Sequence, residues 1–326
     1  MKNNILNKRP LVSVIIPNYN HEIFLKERID SVLNQSYDNI EIIILDDCSS
    51  DNSLDILNEY KSHENVTHFV VNENNTGNTF IQWNRGMHLS KGEFIWIAES
   101  DDFNGRFFLE ELLEPLVKDS EVVLSYCQSN KVNNKSEILG NWFNYTYSLD
   151  KDLFTKNFTM IGNEFIEHFL IYKNVIPNVS AVVFRRTILE DLIDLKIKNK
   201  IKYCGDWLFY IQLIKNKKIS YSPKLLNNFR FHESSVIARA NKSKNFIEIK
   251  NLELFFRHYL IKRLDLNKLY NFKKIKRKNK DLIIKNINDK AFYYMHQKQF
   301  IGYILRLRVK LYKFTSSFFD VNKFIS

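Results

Sequence analysis

The run FIWIAESDDF, Phe94 to Phe103, is apolar and then places three acids within four positions: Glu99, Asp101 and Asp102. Neighbouring carboxylates repel and raise each other's pKa, and a divalent cation removes that repulsion. Hard oxygen ligands suit Mn2+ or Mg2+, and Mg2+ typically takes one or two carboxylates plus substrate phosphates. The same residues also read as a helix start, with Ser100 or Asp101 as N-cap. A second acidic pair, Asp46-Asp47 in LDDCSSD, reads either as capping, with Asp51 as the cap, or as a carboxylate that accepts from a nucleobase or a ribose. Pro17-Asn18-Tyr19-Asn20 is a turn by composition, or an aromatic face on which a base stacks. In Gly205-Asp206-Trp207 the aspartate is either an N-cap or a general base within reach of a substrate hydroxyl. His232 is either a satisfied histidine or an imidazole ligand or phosphate donor.

The elements that must hold these residues alternate. Leu11–Ile16, Ile40–Leu45, Val66–Val71 and Glu93–Ala98 read as strands. Between them, Leu25, Ile29, Val32 and Leu33, then Leu54, Leu57 and Tyr60, then Phe80, Trp83 and Met87 recur at helical spacing. Strands apolar on both faces and separated by helices predict an α/β fold, a parallel sheet covered by helices. Such sheets bind ligands outside the carboxyl ends of their strands, where Asp46-Asp47 and Glu99 to Asp102 fall. After Asp102 the pattern loosens. Helix is predicted at Phe107–Leu116 and after Asp206, strand at Glu121–Val132, Val179–Phe184 and Lys218–Phe231, and an irregular aromatic stretch at Asn141–Asn157.

Of 326 residues, 44% are hydrophobic and only eight are Gly and five Pro, which leaves no room for long flexible linkers. Cys48, Cys127 and Cys204 are isolated and odd in number, which argues against a disulfide framework or a zinc site and for a reducing, cytoplasmic setting. No apolar leader and no membrane-spanning run is read. Net charge is +11, unevenly spread: from Ala240 onward there are 21 Lys and Arg against 6 Asp and Glu, a balance of +15 that leaves −4 for the rest. That step sets the expected boundary between residues 1–239 and a basic, aromatic, mostly helical extension, 240–326. In the extension, Ile301, Ile304, Leu305, Leu311 and Tyr312 share a helical face, with Arg306, Lys310 and Lys313 elsewhere and Arg308 on the apolar face. The run is either a solvated helix or an attachment to an anionic membrane surface. No recognised nucleic-acid-binding motif accompanies the charge, so nucleic acid is not expected as a partner.

Taken together, VSVIIPNYN (Val12–Asn20), IIILDDCSSDNS (Ile42–Ser53), NTGNTFIQWNRGMHLSKGEFIWIAESDD (Asn75–Asp102) and, more loosely, IPNVSAVVFRR, GDWLFY and FRFH resemble the family 2 glycosyltransferases, from about Leu11 to about His232. The resemblance implies a GT-A fold, a Rossmann-like and mainly parallel sheet, with a nucleotide-binding half at 11–102 and an acceptor half at 103–239. It implies a nucleotide-sugar donor, most often a uridine diphosphate sugar, and a divalent cation. Tyr19 and Pro17 would line the base, Asp47 would accept from uracil, and Asn20, Asn78 and Arg85 would join the nucleotide set. Asp101 would lie near ribose or metal, Asp102 would hold the metal, with His232 as a further ligand, and Asp206 would be the catalytic base. Two departures stand out: Cys48 occupies a position that is commonly Gly, and Trp83-Asn84-Arg85-Gly86 lacks the Arg that often precedes the Asn.

The implied reaction is an inverting displacement onto a hydroxyl of a glycan or lipid-linked saccharide, in bacterial surface-polysaccharide or lipooligosaccharide synthesis. The expected location is cytoplasmic, peripheral on the inner face of the cytoplasmic membrane, and a homo-oligomer stays open. A nucleotidyltransferase would want a Gly-rich phosphate loop after the first strand, which PNYNHE is not. An inactive nucleotide-sugar-binding subunit would not need Asp47, Asp102 and Asp206 intact.

Overall fold

The computed structural model describes residues 9–186, 205–232, 251, 272–296, 299 and 301–306. Three strands set the frame: β1 (Val12–Asn18), β2 (Ile40–Asp46) and β4 (Phe94–Ile97), in which every residue is buried. β1 pairs with β2 and β4 in parallel, Val12 opposite both Ile40 and Phe94. One face of these strands, including Val12, Val14, Ile16, Ile42, Ile44 and Trp96, packs with Leu25, Ile29 and Val32 of α1 (Glu22–Leu33) and with α4 (Phe108–Lys118). On the other face Ile15 lies against Gly86 of α3 (Thr79–Leu89), where a Cβ would not fit. Sealed on both faces, the strands can release polar groups only at their ends. Asn18 pairs with Asp46, and Ile15 with Ile97, so the three carboxyl ends open on one rim.

With β3 (Val66–Val71), β5 (Phe103–Asn104), β6 (Val122–Val132), β7 (Ile138–Asn141), β8 (Phe158–Ile161), β9 (Val182–Arg185) and β10 (Lys218–Arg230), the sheet has 10 strands among the described residues. Its order is β3-β2-β1-β4-β9-β6-β10-β5, with β7 on β6 and β8 on β10. β9 runs antiparallel to β4 and β6, whereas β10 is parallel to β6, so both β6 and β10 carry their carboxyl ends to the rim. Further helices are α2 (Ser53–Tyr60), α5 (Phe143–Tyr147), α6 (Gly162–Phe165), α7 (Gly205–Ile214) and α8 (Phe272–His296). This is the expected helix-flanked, mainly parallel sheet.

Local details differ from the sequence reading. No side-chain cap closes α2; Asp51 instead accepts from Ser53 N and Glu22 N. Neither Ser100 nor Asp101 caps a helix, because β5 follows and α4 starts only after Phe107. The 141–157 stretch is not irregular throughout, since it holds α5 and a 3-10 turn at Leu153–Thr155. Strand β9 starts at Val182, after a 3-10 turn at Val179–Ala181. Cys48 adopts φ 62, the left-handed conformation that Gly adopts freely.

The chain divides into two compact units, Met1–Phe165 with Val175–His232, and Ile166–Asn174 with Glu233–Ser326. In the second unit, Ile283, Ile287 and Ala291 of α8 pack with Leu305, and Gly302 lies against the Ala291 carbonyl and Met295. Ile301, Tyr303, Ile304 and Phe292 are exposed. Leu311, Tyr312, Arg308, Lys310, Lys313 and Cys204 lie outside the described residues. Among the described residues, no helix is long and apolar enough to cross a membrane.

Trp96 is the largest fully buried side chain; its indole donates to Ser180 O at 3.0 Å and its ring lies 4.7 Å from that of Phe108. Trp96→Ala is expected to destabilise the fold by about 3–5 kcal/mol, read as a lower urea midpoint at unchanged m value.

Candidate active site

The acid turn after β4 meets the head of α1 and the end of β10. His232 Nε2 lies 3.0 Å from Asp101 Oδ2, and His21 Nδ1 lies 2.8 Å from Ser100 Oγ. Donor atoms of His21, Asp101 and His232 all fall within 4.8 Å of one another, and the two imidazoles sit edge to face at 5.5 Å. Burial alone would raise the Asp101 carboxyl, but the facing His21 and the bond to His232 outweigh it and hold it at about 2. Two imidazoles and an ionised carboxylate form a donor set that fits a divalent cation of the Mn2+ or Zn2+ kind better than Mg2+, which prefers oxygen throughout.

Asp102 faces the other way. It is 2% exposed, its Oδ1 accepts from Arg230 N at 2.9 Å, and its Oδ2 accepts from Asn178 Nδ2 at 3.2 Å. Burial and the charge of Asp101 push its carboxyl up to about 7. The structure thus gathers Asp101 and His232 of the expected metal residues, adds His21, and commits both Asp102 oxygens to protein donors. Of the two aspartates, Asp101 is the one that faces the histidines.

The residues expected to bind the nucleotide are spread over β1, the loops after β1 and β2, α3 with its N-cap, and the turn after β4. Tyr19 is 44% exposed at the rim, while Pro17 is buried within β1. Asn20 latches the two loops: its Oδ1 accepts from Ser50 N at 2.7 Å and its N–H donates to Ser49 Oγ at 3.0 Å. Asp47 is 5% exposed, and its oxygens accept from Asn72 Nδ2, Thr76 N, Thr76 Oγ1 and Gln82 Nε2. It organises the 72–82 loop, and a base would have to share it. Asn78 caps α3, accepting from Phe80 N at 3.0 Å, and Arg85 reaches Asn72 Oδ1, the partner of Asp47. Trp83, where an arginine is common, donates its indole N–H to Glu99 Oε1 at 2.5 Å.

Asp206 sits in the first turn of α7. Gly205 before it presses on Phe80, whose ring would lie 2.5 Å from an added Cβ, so α7 starts close over α3. The buried Tyr210 hydroxyl is raised chiefly by burial, then by the charges of Asp206 and Glu99. Sequence reasoning missed His21, although it stands directly after Asn20. It also missed Arg28, Asn178 and Arg230.

The family profile described as "Glycosyl transferase family 2" matches residues 13–193, more than half of the chain. The poly(ribitol-phosphate) beta-N-acetylglucosaminyltransferase TarP of Staphylococcus aureus is 30% identical over 243 residues, 71% of this chain and 67% of that protein. Two further glycosyltransferases are 35% and 37% identical over 141 and 114 residues, and this chain spans less than half the length of either. Among solved structures, S. aureus TarS 1-349 in complex with UDP superposes with a TM-score of 0.57 at 19% identity, over 85% of this chain and 70% of that one. The mannosyltransferase PcManGT of Pyrobaculum calidifontis, in complex with GDP-Man and Mn2+, gives 0.56 at 13% identity, over 98% and 84%. These likenesses establish the GT-A fold.

In metal-free protein, burial and then the charge of Asp101 raise the Glu99 carboxyl from 4.5 to about 8. The folded chain therefore keeps a proton that the unfolded chain releases, so this group's contribution is full below pH 4.5 and is lost as pH rises toward 8. Glu99→Gln is expected to flatten the fall of Tm over that range in EDTA, and an unchanged slope would refute the assignment.

Proposed function

The chain belongs to glycosyl transferase family 2, and on that premise we propose that it is a metal-dependent, inverting glycosyltransferase. It moves a hexosyl or N-acetylhexosaminyl group from a nucleoside diphosphate sugar, a uridine diphosphate sugar first, to a hydroxyl of a growing glycan or lipid-linked acceptor in cell-surface polysaccharide synthesis. The observation that carries this reading is the convergence of His21, Asp101 and His232 at the rim that also bears Tyr19, Asn20 and Asp47. Likeness to TarP, a poly(ribitol-phosphate) N-acetylglucosaminyltransferase, supports a polymer acceptor, and likeness to complexes with UDP and with GDP-Man supports a nucleotide-sugar donor.

His21, Asp101 and His232 would hold the cation, with Asp102 fixing the turn beneath them. Bound there, a divalent cation neutralises the charge that accumulates on the departing diphosphate. Tyr19 offers its exposed ring to the base. Asp206 takes the proton from the acceptor hydroxyl as that oxygen attacks the anomeric carbon; the bond to the β-phosphate oxygen breaks on the opposite face, and one displacement inverts the configuration. Asp206 needs no contact with the nucleotide for this role.

Calorimetric titration of UDP and GDP, with and without Mn2+, separates these parts. Asp101→Ala is expected to abolish the Mn2+-dependent component of binding. Asp206→Asn should keep nucleotide affinity and lose turnover by about 100-fold or more. Nucleotide binding indifferent to Mn2+ would remove the cation from the reading, and a large loss of donor affinity in Asp206→Asn would remove the base.

For the second unit we propose peripheral attachment to the anionic inner face of the cytoplasmic membrane. Phe292 is 72% and Tyr303 56% exposed, Arg277, Lys285 and Arg306 are exposed, and the sequence after Ala240 carries the positive balance. Co-sedimentation with vesicles containing phosphatidylglycerol, lost in phosphatidylcholine alone and weakened by Phe292→Ser with Tyr303→Ser, is the expected result. Indifference to phosphatidylglycerol at low salt would end the proposal.

A further inference from the structure

Two guanidinium groups are buried directly behind the acid turn, Arg28 at 0% and Arg230 at 1% exposure. Neither guanidinium donates to the side chains of Glu99, Asp101 or Asp102. Arg28 Nε donates to the carbonyl of Glu99 at 2.8 Å and Arg28 Nη1 to Asn104 Oδ1 at 2.6 Å. Arg230 Nε donates to the carbonyl of Asp101 at 2.8 Å, while its own N–H holds Asp102. We propose that Arg28 and Arg230 are positioning residues, a buried pair that grips the 99–102 turn by its main-chain carbonyls and so sets how tightly the His21–Asp101–His232 cluster holds a divalent cation. This rests on the cation reading above.

The argument is one of connectivity. His21 is the N-cap residue of α1, and Arg28 lies two turns along the same helix. His232 stands two residues after Arg230. The two arginines therefore join the three segments that supply the three cation donors. Arg230 is itself fixed from outside: Nη2 donates to Glu27 Oε2 at 2.5 Å and to Ser136 Oγ at 3.1 Å, Nη1 donates to Asn133 O at 2.6 Å, and the group stacks 4.5 Å from the ring of Phe24. Ser136 Oγ in turn donates to Glu27, and Ser136 holds φ 63 in the turn between β6 and β7. Burying a guanidinium is costly unless its donors are used, and a planar fork can bridge separate carbonyls in fixed directions where an ammonium cannot. The buried Arg28 charge also interacts with Asp102, Asp101 and Glu99 across the turn.

The test uses the full chain as wild type, Arg28→Lys, Arg230→Lys and Asp101→Ala. Mn2+ affinity is measured by the EPR signal of the free ion, exchange of the 99–104 amides by mass spectrometry, and folding by Tm. Both lysine variants are expected to bind Mn2+ about 10- to 100-fold more weakly, with faster exchange in the turn. Glu27→Gln, which loosens Arg230 from a side chain 40% exposed, gives a smaller shift in the same direction and serves if Arg230→Lys does not fold. Folded lysine variants with unchanged Mn2+ affinity, whatever their Tm, would overturn the proposal. A wild-type chain that takes up no Mn2+ sinks the functional reading instead, and the grip is then judged on exchange alone: faster exchange keeps it, unchanged exchange ends it.

Discussion

Strands β1, β2 and β4 have no wet face, and the chemistry of the chain follows from that. Every residue of these strands is buried. Backbone groups are satisfied within the sheet, so polar side chains find water only where the strands stop. Because the three are parallel and nearly level, their stops coincide, and Asn18, Asp46 and the 99–102 turn share one rim. The helices that seal the faces also start there: His21 at the head of α1 lies against Ser100, and Thr79 at the start of α3 donates to Glu99.

At the rim, three carboxyl groups in four residues are held in three environments. Asp101 keeps its charge against facing histidines. Asp102 and Glu99 are pushed up by burial and by Asp101 itself. The turn therefore presents one firmly ionised carboxylate, Asp101, rather than three competing ones, while its neighbour Asp102 is held by donors from Arg230 and Asn178. Asp47 illustrates the same economy at the neighbouring loop, where one carboxylate gathers Asn72, Thr76 and Gln82.

Much of this was legible. LVSVII, IEIIIL and FIWI announce sealed strands by having no polar alternation, and the acids after them mark the rim. Asp206 after Gly205 announces a helix start. Which of Asp101 and Asp102 meets the histidines was not legible, because the choice is made by Arg230 and Asn178, far along the chain. Arg28 did leave a trace: it falls among Leu25, Ile29 and Val32 on the apolar face of α1, where a charge without a buried role would be out of place. The two-residue β5 and the antiparallel β8 carry too little periodicity to be seen. Their pairing is decided by β10, which supplies the partner edge.

Strand β10 runs 13 residues from Lys218 to Arg230, beside β6 along its length, against β8 at its start and β5 at its end. Among the described residues it is also the last strand of the sheet in chain order, and it ends two residues before His232. During synthesis, the parallel strands β1 to β4 emerge well before it and can pair among themselves. A nascent chain at that stage has Asp101 but neither the Arg230 amide nor the His232 imidazole. The Asp101–His232 pairing at the rim thus arrives in one step with closure of the sheet.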